Sequence, residues 1–238
     1  MRPNEILAEP RTADGTRLTL VRQSGALQVQ VNGVILMSSH VHGSEDIMAE
    51  LACKDLKDRA DVRVLVGGLG MGFTLRATLD ALGPQAHVVV SELYPDLVAW
   101  NRGVLAPLAD HPLADPRVQL VEGDVAALLR ASRAAFDVIL LDVDNGPEAF
   151  TTPSNGWLYG PAGLTAIRDA LKPGGLVVVW SGFSAPRFVG QLARAGLAAE
   201  AVPVRERGHV AKGARHMLYV GRRQATRAGP PRAGSKRT

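Results

Sequence analysis

The stretch Val64-Leu-Val-Gly-Gly-Leu-Gly-Met-Gly-Phe-Thr-Leu75 decides how the rest of the chain is interpreted. Its apolar beginning is typical of a buried parallel strand, and the residues from Phe73 onward have a helical pattern. The glycines between them allow a ligand to approach the backbone and allow positive φ angles, although such turns also serve packing alone. The spacing Gly68-x-Gly70-x-Gly72 is followed by Phe73, where a dinucleotide fingerprint has a glycine or alanine. The stretch therefore favours a nucleoside-binding loop over an NAD site.

Length and composition limit the class of protein. The 238 residues can hold one sizeable core, and the 46% of aliphatic and aromatic residues is ordinary for a globular domain. No apolar run approaches the roughly 20 residues of a transmembrane helix. The first ten residues lack the apolar core of a signal peptide. We therefore expect a cytoplasmic protein that does not enter a membrane.

The net charge of +4 is concentrated at the C-terminal end of the chain. Six cations and no acids lie in 222–238, and subtracting those six from +4 leaves the remainder with a net charge of −2. The tail has too few apolar residues to fold and is predicted to be disordered. A nucleic-acid partner is not expected beyond weak contacts of this tail. Cys53, the single cysteine, excludes an internal disulfide and a cysteine metal cluster.

The order of the apolar segments predicts an α/β fold. Residues 16–39 alternate as short antiparallel strands do, and Asn32-Gly33 is a hairpin signal. From Val62 onward, strands and helices alternate as in a Rossmann-like, doubly wound sheet of seven strands. Predicted strands cover 62–66, 87–91, 118–121, 138–141, 176–180, 199–204 and 216–220, and predicted helices cover 73–82, 96–105, 125–131, 163–171 and 186–195. We predict a small β-hairpin region over 1–43, a nucleoside-binding catalytic domain over 44–222 and a basic tail over 223–238.

Acidic residues end the predicted strands on both sides of the glycine loop. Ligands of a doubly wound sheet bind beyond the carboxyl ends of its strands. Glu92 lies 22 residues after Gly70, where a carboxylate can accept both hydroxyls of a ribose. Asp124 can accept from an adenine amino group, cap the next helix, or do both. The alternative for Glu92 is a surface acid at a strand end.

Asp142 and Asp144 follow the fourth strand of the predicted sheet, in Leu141-Asp-Val-Asp-Asn-Gly-Pro147. Two acids at one sheet edge attract an amine and can take up its proton. The alternative is turn chemistry, since Asp and Asn are favoured before Gly-Pro. As a hypothesis, Asp142 receives or orients the proton of an acceptor amine and Asp144 assists it.

Two further segments carry candidate substrate-binding residues. Trp157 and Tyr159 belong to a loop that could close over the site, where their rings could hold a cationic amine or only pack the loop. His42 and Glu45 precede or begin the first predicted helix and could face the acceptor. No third convincing histidine lies nearby, so we expect no metal site.

Together these residues resemble a known family. The glycine loop, Glu92, Gly123-Asp124, Asp142 and Lys172-Pro-Gly-Gly175 are similar to the class I fold that binds S-adenosylmethionine. The hairpin region with Val34-Ile-Leu-Met-Ser-Ser39, and Asp142 to Pro147 with the aromatic loop after it, resemble the spermidine synthase branch, the polyamine aminopropyltransferases. The similarity runs from about 18 to 222.

The resemblance implies a function for these residues. The co-substrate would be S-adenosylmethionine or its decarboxylated form, the acceptor a small amine positioned by Asp142, and the protein a homodimer. The residues implied to hold the nucleoside are Gly68, Leu69, Gly70, Met71, Gly72, Glu92 and Asp124.

The sequence departs from this family at three places. Met71 stands where the family carries the loop acid that meets the donor's amine. Asp142 and Asp144 are two residues apart rather than three, and Gly43-Ser-Glu45 replaces a Tyr-His-Glu sequence. We therefore weigh three functions: a spermidine synthase-like transfer of an aminopropyl or related alkyl group, a small-molecule methyltransferase, and a non-catalytic nucleoside-binding dimer. An NAD-dependent reductase ranks below all three functions because the glycine spacing does not fit a dinucleotide fingerprint.

Overall fold

The computed structural model describes residues 4–12, 15–143, 146–147, 155–206 and 213–225. A four-stranded antiparallel sheet comes first, in the order β1-β2-β3-β4. Its strands are β1 (Glu5–Ala8), β2 (Leu18–Gln23), β3 (Ala26–Val31) and β4 (Val34–Ser38). Asn32 and Gly33 both have positive φ, 51° and 83°, as the predicted tight hairpin requires. The sequence predicted three of these strands; β1 was missed because it is short and mostly exposed.

The larger sheet has seven strands in the order β10-β11-β9-β8-β5-β6-β7. They are β5 (Arg63–Gly67), β6 (His87–Glu92), β7 (Val118–Glu122), β8 (Phe136–Leu141), β9 (Leu171–Ser181), β10 (Leu197–Arg205) and β11 (Arg215–Arg223). Strand β11 pairs antiparallel with both β9 and β10, and the other pairings are parallel. The predicted α/β fold with a seven-stranded doubly wound sheet behind a small antiparallel sheet is confirmed.

Helices connect these strands. They are α1 (Gly43–Cys53), α2 (Phe73–Ala81), α3 (Pro95–Arg102), α4 (Val125–Ala131), α5 (Asn155–Tyr159), α6 (Pro161–Ala170) and α7 (Phe188–Arg194). Short 3-10 turns lie at Ala106–Ala109 and Pro112–Ala114. Helix α5 was not predicted.

Several predicted boundaries differ from the structure, and two of them concern segments singled out from the sequence. Strand β9 begins at Leu171, directly after α6, so Lys172-Pro-Gly-Gly175 forms the start of that strand rather than a link before it. The pairing of β8 with β9 is irregular there, which lets the strand accommodate the proline. Arg223 lies in β11, although the sequence placed it in the tail; residues 226–238 lie outside the described part of the chain.

Both faces of the large sheet are buried. Along β5, Val64 and Val66 join one apolar cluster and Leu65 joins the other. Because helices cover both faces, the strand needs apolar residues at every position, which explains its unbroken apolar sequence. Strand β5 lies in the interior of the sheet, with β6 and β7 on one side of it and β8, the central strand, on the other. The strand order therefore reverses between β5 and β8, and a ligand crevice is expected at their carboxyl ends.

A third apolar cluster joins the small sheet to the glycine loop. It contains Leu20, Leu27 and Val29 from the small sheet together with Met71 and Leu97. The small sheet therefore packs over the loop and forms one wall above the crevice. No helix in the described ranges is long and apolar enough to cross a membrane.

Candidate functional site

The glycine loop follows β5 and needs glycine for two reasons. Gly68 and Gly70 have φ angles of 89° and 54°, which side chains rarely adopt. A Cβ atom on Gly68 would also lie 2.1 Å from the carbonyl oxygen of Asp142. The loop therefore lies directly against the end of β8. Gly72, with φ of 88°, is the N-cap of α2. It is not among the described residues that line the cavity beside this loop, which is described below.

Glu92 fastens the glycine loop to the end of β6. Its carboxyl group is buried, with Oε2 accepting from the Leu69 amide at 2.8 Å and Oε1 accepting from the Tyr94 amide at 2.9 Å. Burial raises the pKa of Glu92, and these backbone hydrogen bonds oppose that shift. The backbone of Gly70 and Leu93 contributes in the same direction, so the carboxyl group orders the loop through several amides while it also lines the cavity.

Asp124 lies at the end of β7 and caps the next helix. Its Oδ1 accepts from the Ala126 amide at 2.8 Å, the geometry of an N-cap. The side chain also lines the cavity. The capping role and the predicted ligand role are therefore compatible in space.

Between these elements lies a cavity of about 480 Å³. The small sheet contributes Met37, the glycine loop contributes Gly68 to Met71, and the far strands contribute Trp180 and His216. Five carboxyl side chains line it: Glu45, Glu92, Asp124, Asp142 and Glu206. Among the described lining residues, none is a lysine or an arginine. The cavity therefore favours cationic ligands over anionic ones.

Asp142 and Glu45 form the acidic centre of the cavity. Asp142 follows β8, and its Oδ2 accepts a hydrogen bond of 2.7 Å from the Thr74 hydroxyl of α2. Removal from water raises the pKa of Asp142, and the hydrogen bond from Thr74 opposes that shift. Burial, followed by the charge of Asp142, raises the pKa of Glu45 to about 8. Such a carboxyl pair can hold and release a proton near neutral pH.

Ser44 connects this acidic pair to the far strands of the sheet. It is 1% exposed, and its hydroxyl lies 2.6 Å from Glu45 Oε2, 3.1 Å from Trp180 Nε1 and 3.1 Å from His216 Nδ1. The sequence indicated Ser44 as a helix cap, but the N-cap of α1 is His42 and no side-chain cap is formed. Ser44 therefore lies in the first turn of α1, where its hydroxyl contacts other cavity residues instead of capping the helix.

The sequence is similar to that of polyamine aminopropyltransferases. It is 33% identical over 135 residues to polyamine aminopropyltransferase 1 of Streptomyces coelicolor, covering 55% of this chain and 24% of that protein. It is 33% identical over 144 residues to the polyamine aminopropyltransferase of Mycobacterium tuberculosis, covering 57% of this chain and 27% of that protein. The matched stretch thus spans about a quarter of these relatives. No protein-family profile matches the chain.

Solved structures resemble the chain over nearly its whole length. Spermidine synthase from Thermotoga maritima superimposes with a TM-score of 0.71 at 16% identity, covering 91% of this chain and 72% of that one. A spermidine synthase in complex with the transition-state analogue AdoDATO gives a TM-score of 0.70 at 16% identity and the same coverage. The chain has the spermidine synthase fold. The predicted resemblance to this branch of the class I methyltransferase fold is confirmed.

A different class of enzyme also matches part of the chain. The ribosomal RNA small subunit methyltransferase H of Stenotrophomonas maltophilia is 28% identical over 120 residues, covering 50% of this chain and 35% of that protein. The fold and these matches do not by themselves decide which group is transferred. The chemistry of the cavity has to distinguish aminopropyl from methyl transfer.

Three residues predicted to contact the acceptor lie outside the cavity lining. His42 Nδ1 is 2.9 Å from Asp46 Oδ2, and its ring stacks on that of Phe73, which does line the cavity. Trp157 carries the Arg130 guanidinium 3.7 Å from its ring centre, so its cation partner is a residue of this chain. Tyr159 is 4% exposed and packs edge-on against Phe188. These contacts favour the alternative in which the two rings only pack the loop, and contact of Trp157 and Tyr159 with the acceptor stays a prediction.

Of the remaining predicted residues, Glu45 lines the cavity and Asp144 lies outside the described residues. Met71 lines the cavity at 3% exposure while its side chain joins the apolar cluster beneath the small sheet. Within the described ranges, no group of three His, Cys, Asp or Glu residues is arranged to hold a metal ion.

The cavity residues that sequence reasoning missed include Thr74, Trp180, Glu206 and His216. Trp180 and Glu206 could have been found by the strand-end rule, because β9 and β10 end at the same edge as β8. His216 could not, because β11 is antiparallel and brings its beginning to that edge. The pairing of Leu218 with Trp180 places His216 just beyond the end of β9.

Proposed function

We propose that this protein transfers an aminopropyl group from decarboxylated S-adenosylmethionine to a small amine. The observation that carries the proposal is the cavity itself, where a nucleoside-type loop meets a lining of five carboxyl groups without a described lysine or arginine. Both proposed substrates are cations, and neither carries a carboxylate. The fold and the sequence similarity to polyamine aminopropyltransferases support the same chemistry.

The donor would lie along the glycine loop. The ribose hydroxyls would donate to Glu92, whose carboxyl also holds the Leu69 amide, and Asp124 would accept from the adenine amino group. This arrangement directs the sulfonium toward the crevice between β5 and β8, where Asp142 lies. Met37, which lies near Gly70, would give the donor's propyl chain an apolar contact, while the Met71 side chain packs into the apolar cluster beneath the small sheet.

The acceptor amine would lie beside Asp142 and Glu45. Its nitrogen attacks the carbon next to the sulfonium, the new N–C bond forms, and the C–S bond breaks with its electron pair going to sulfur. The nitrogen must lose a proton, which the carboxyl pair takes up. Because the leaving group is a neutral thioether, it needs no acid catalysis. The protein's contribution is alignment, exclusion of water and acceptance of that proton.

Donor binding and product mass together test the proposal. Affinities are measured by titration calorimetry with decarboxylated S-adenosylmethionine, S-adenosylmethionine and methylthioadenosine. The decarboxylated donor should bind more tightly than the carboxylated one. Mass spectrometry of reactions with a panel of diamines should then show an added aminopropyl group and released methylthioadenosine. Preference for S-adenosylmethionine, or products carrying a methyl group, would overturn it.

A methyltransferase is the second candidate because of the partial similarity to a ribosomal RNA methyltransferase. S-adenosylmethionine has a carboxylate, which the acidic lining disfavours. The same mass measurement separates the two, since a methyltransferase would release S-adenosylhomocysteine. A non-catalytic nucleoside-binding protein would bind methylthioadenosine and release no product with any donor.

We also propose a homodimer formed through the small sheet. Its edge strand β4 exposes Val34 and Ile35 at 66% and 53%, and an apolar sheet edge favours pairing with a second copy. Light scattering of the purified chain measures the assembly, and Val34→Lys should shift it toward the monomer. A monomeric wild-type protein at micromolar concentration would contradict the proposal.

A further inference from the structure

The Ser44 hydroxyl joins a carboxyl group of the acidic centre to a histidine on the far side of the cavity. Glu45 Oε2 lies 2.6 Å from Ser44 Oγ, and His216 Nδ1 lies 3.1 Å from the same atom. Ser44 and His216 are 172 residues apart in sequence, and both line the cavity. The three side chains form an unbroken row of hydrogen-bond distances.

The hydrogen-bonding capacity of Ser44 limits how protons can be placed along this row. A hydroxyl donates one hydrogen bond and accepts two. The Trp180 indole can only donate, so it occupies one acceptor position at 3.1 Å. The remaining acceptor position and the single proton are divided between Glu45 and His216. One arrangement has His216 donating to Ser44 and Ser44 to an ionised Glu45. The other has protonated Glu45 donating to Ser44 and Ser44 donating to His216.

We infer that Ser44 conducts a proton from Glu45 to His216 during each turnover. The inference rests on the proposed function, in which the acceptor amine gives up one proton to the carboxyl pair. Glu45 then passes its proton to Ser44 Oγ while the Ser44 proton moves to His216 Nδ1. The imidazolium releases its Nε2 proton to solvent, which leaves Glu45 ionised and the imidazole protonated at Nδ1. Exchange of that proton through solvent for one at Nε2 restores the accepting tautomer before the next turnover. One proton leaves the amine and one reaches the solvent, so the step balances.

The pKa shifts oppose the transfer itself, because Glu45 keeps its proton up to about pH 8 while the pKa of His216 lies below its ordinary value; release of the proton from His216 to solvent has to draw the transfer forward. Burial lowers the pKa of His216 and the nearby Glu206 opposes that shift, so the imidazole is neutral at pH 7 and can accept a proton. Trp180 faces the same ring edge-on, with ring centres 4.8 Å apart, and carries no charge. Glu45 faces Asp142 and Asp46, both of which favour its protonated form. His216 is only partly buried, so solvent reaches part of this residue.

Kinetics of matched variants test the relay in the intact protein. Ser44→Ala and His216→Asn should each lower kcat about 10- to 100-fold, in the range of a lost proton-transfer group. The KM for the amine and the affinity for methylthioadenosine should change less than about twofold, and Ser44→Thr should keep most of the rate. The controls are Ser132→Ala, at a hydroxyl bonded to the Leu128 carbonyl, and His87→Asn, at an exposed strand start. Wild-type kcat in Ser44→Ala and His216→Asn would overturn the relay without touching the proposed function.

A spectroscopic measurement tests the same coupling without turnover. The ¹⁵N shift of His216 Nδ1 reports whether that atom donates or accepts, and it should change over the pH range in which Glu45 titrates, centred at about 8. The change should disappear in Glu45→Gln and in Ser44→Ala while circular dichroism shows both folded. A change that persists in Ser44→Ala overturns the inference. Since no substrate is present, this result stands even if aminopropyl transfer is not found.

Discussion

The Thr74 hydroxyl donates a 2.7 Å hydrogen bond to Asp142 Oδ2 and so ties the first turn of α2 to the end of β8. Thr74 is buried and comes two residues after the last glycine of the loop. The segment that would hold the donor and the carboxyl group that would receive the proton are therefore fixed to each other. The loop cannot shift without moving this contact.

We expect Thr74→Val to shift proton uptake by Asp142 to higher pH. The hydrogen bond lowers the pKa of Asp142, so its loss raises that pKa further. Asp142 must be ionised to take a proton, so the acid limb of the kcat profile should move to higher pH. Stability should fall by about 1 kcal/mol for the lost hydrogen bond. Thr74→Ser is the control that keeps the hydroxyl, and an unchanged pH profile in Thr74→Val would contradict the assignment.

The pKa of Glu45 predicts how the stability of the protein depends on pH. Its folded-state value of about 8 exceeds the model-compound value of 4.5, so between these values the folded state binds more protons than the unfolded state. Stability therefore falls as pH rises through this window, by up to about 1.4 kcal/mol per pH unit for a single fully shifted group. Glu45→Gln should flatten this fall.

Urea denaturation at pH 5, 6.5, 8 and 9 measures this effect. Glu45→Gln should gain stability relative to wild type as pH increases toward 8, and the difference should level off above that value. Glu50→Gln, at an exposed position of the same helix, is the matched control. Parallel curves for wild type and Glu45→Gln would show that Glu45 titrates normally in the folded protein.

The donor side of the site was more predictable from sequence than the acceptor side, for a physical reason. Parallel strands buried on both faces are continuous apolar runs, so β5, β6, β7 and β8 and the acids that follow them can be located directly. The Ser44 contacts span 136 residues to Trp180 and 172 to His216, and no local pattern encodes such distances. Trp157 and Tyr159 show the same limit: their sequence left ligand contact and loop packing open, and only the structure shows their contacts with Arg130 and Phe188.

Glu92→Gln removes the carboxylate that holds the glycine loop and tests whether the loop stays ordered without it. An amide placed at this position cannot accept from both Leu69 and Tyr94, because its NH₂ group must face one of these donors. The unpaired amide should cost about 1–3 kcal/mol in the free energy of unfolding. Affinity for methylthioadenosine should fall at least about tenfold, corresponding to about 1.4 kcal/mol. Glu122→Gln at the end of the neighbouring strand, half-exposed and 3.8 Å from Arg102, should change neither quantity.

Met71→Asp tests whether an acid at this position of the loop contacts the donor, as the loop acid does in the family that the sequence resembles. The Met71 side chain is 3% exposed and packs with Leu20, Leu97 and their neighbours beneath the small sheet. A carboxylate introduced there loses its hydration without a cationic partner among the described members of that cluster, so we expect a loss of stability of about 3 kcal/mol or more. Met71→Leu keeps volume and apolarity and should cost less than about 1.5 kcal/mol. Thermal denaturation and titration with the decarboxylated donor measure both effects. Because the acid has to leave the apolar cluster to reach the ligand, donor affinity should not rise in Met71→Asp; a gain in affinity with wild-type stability would show that the side chain at position 71 faces the donor.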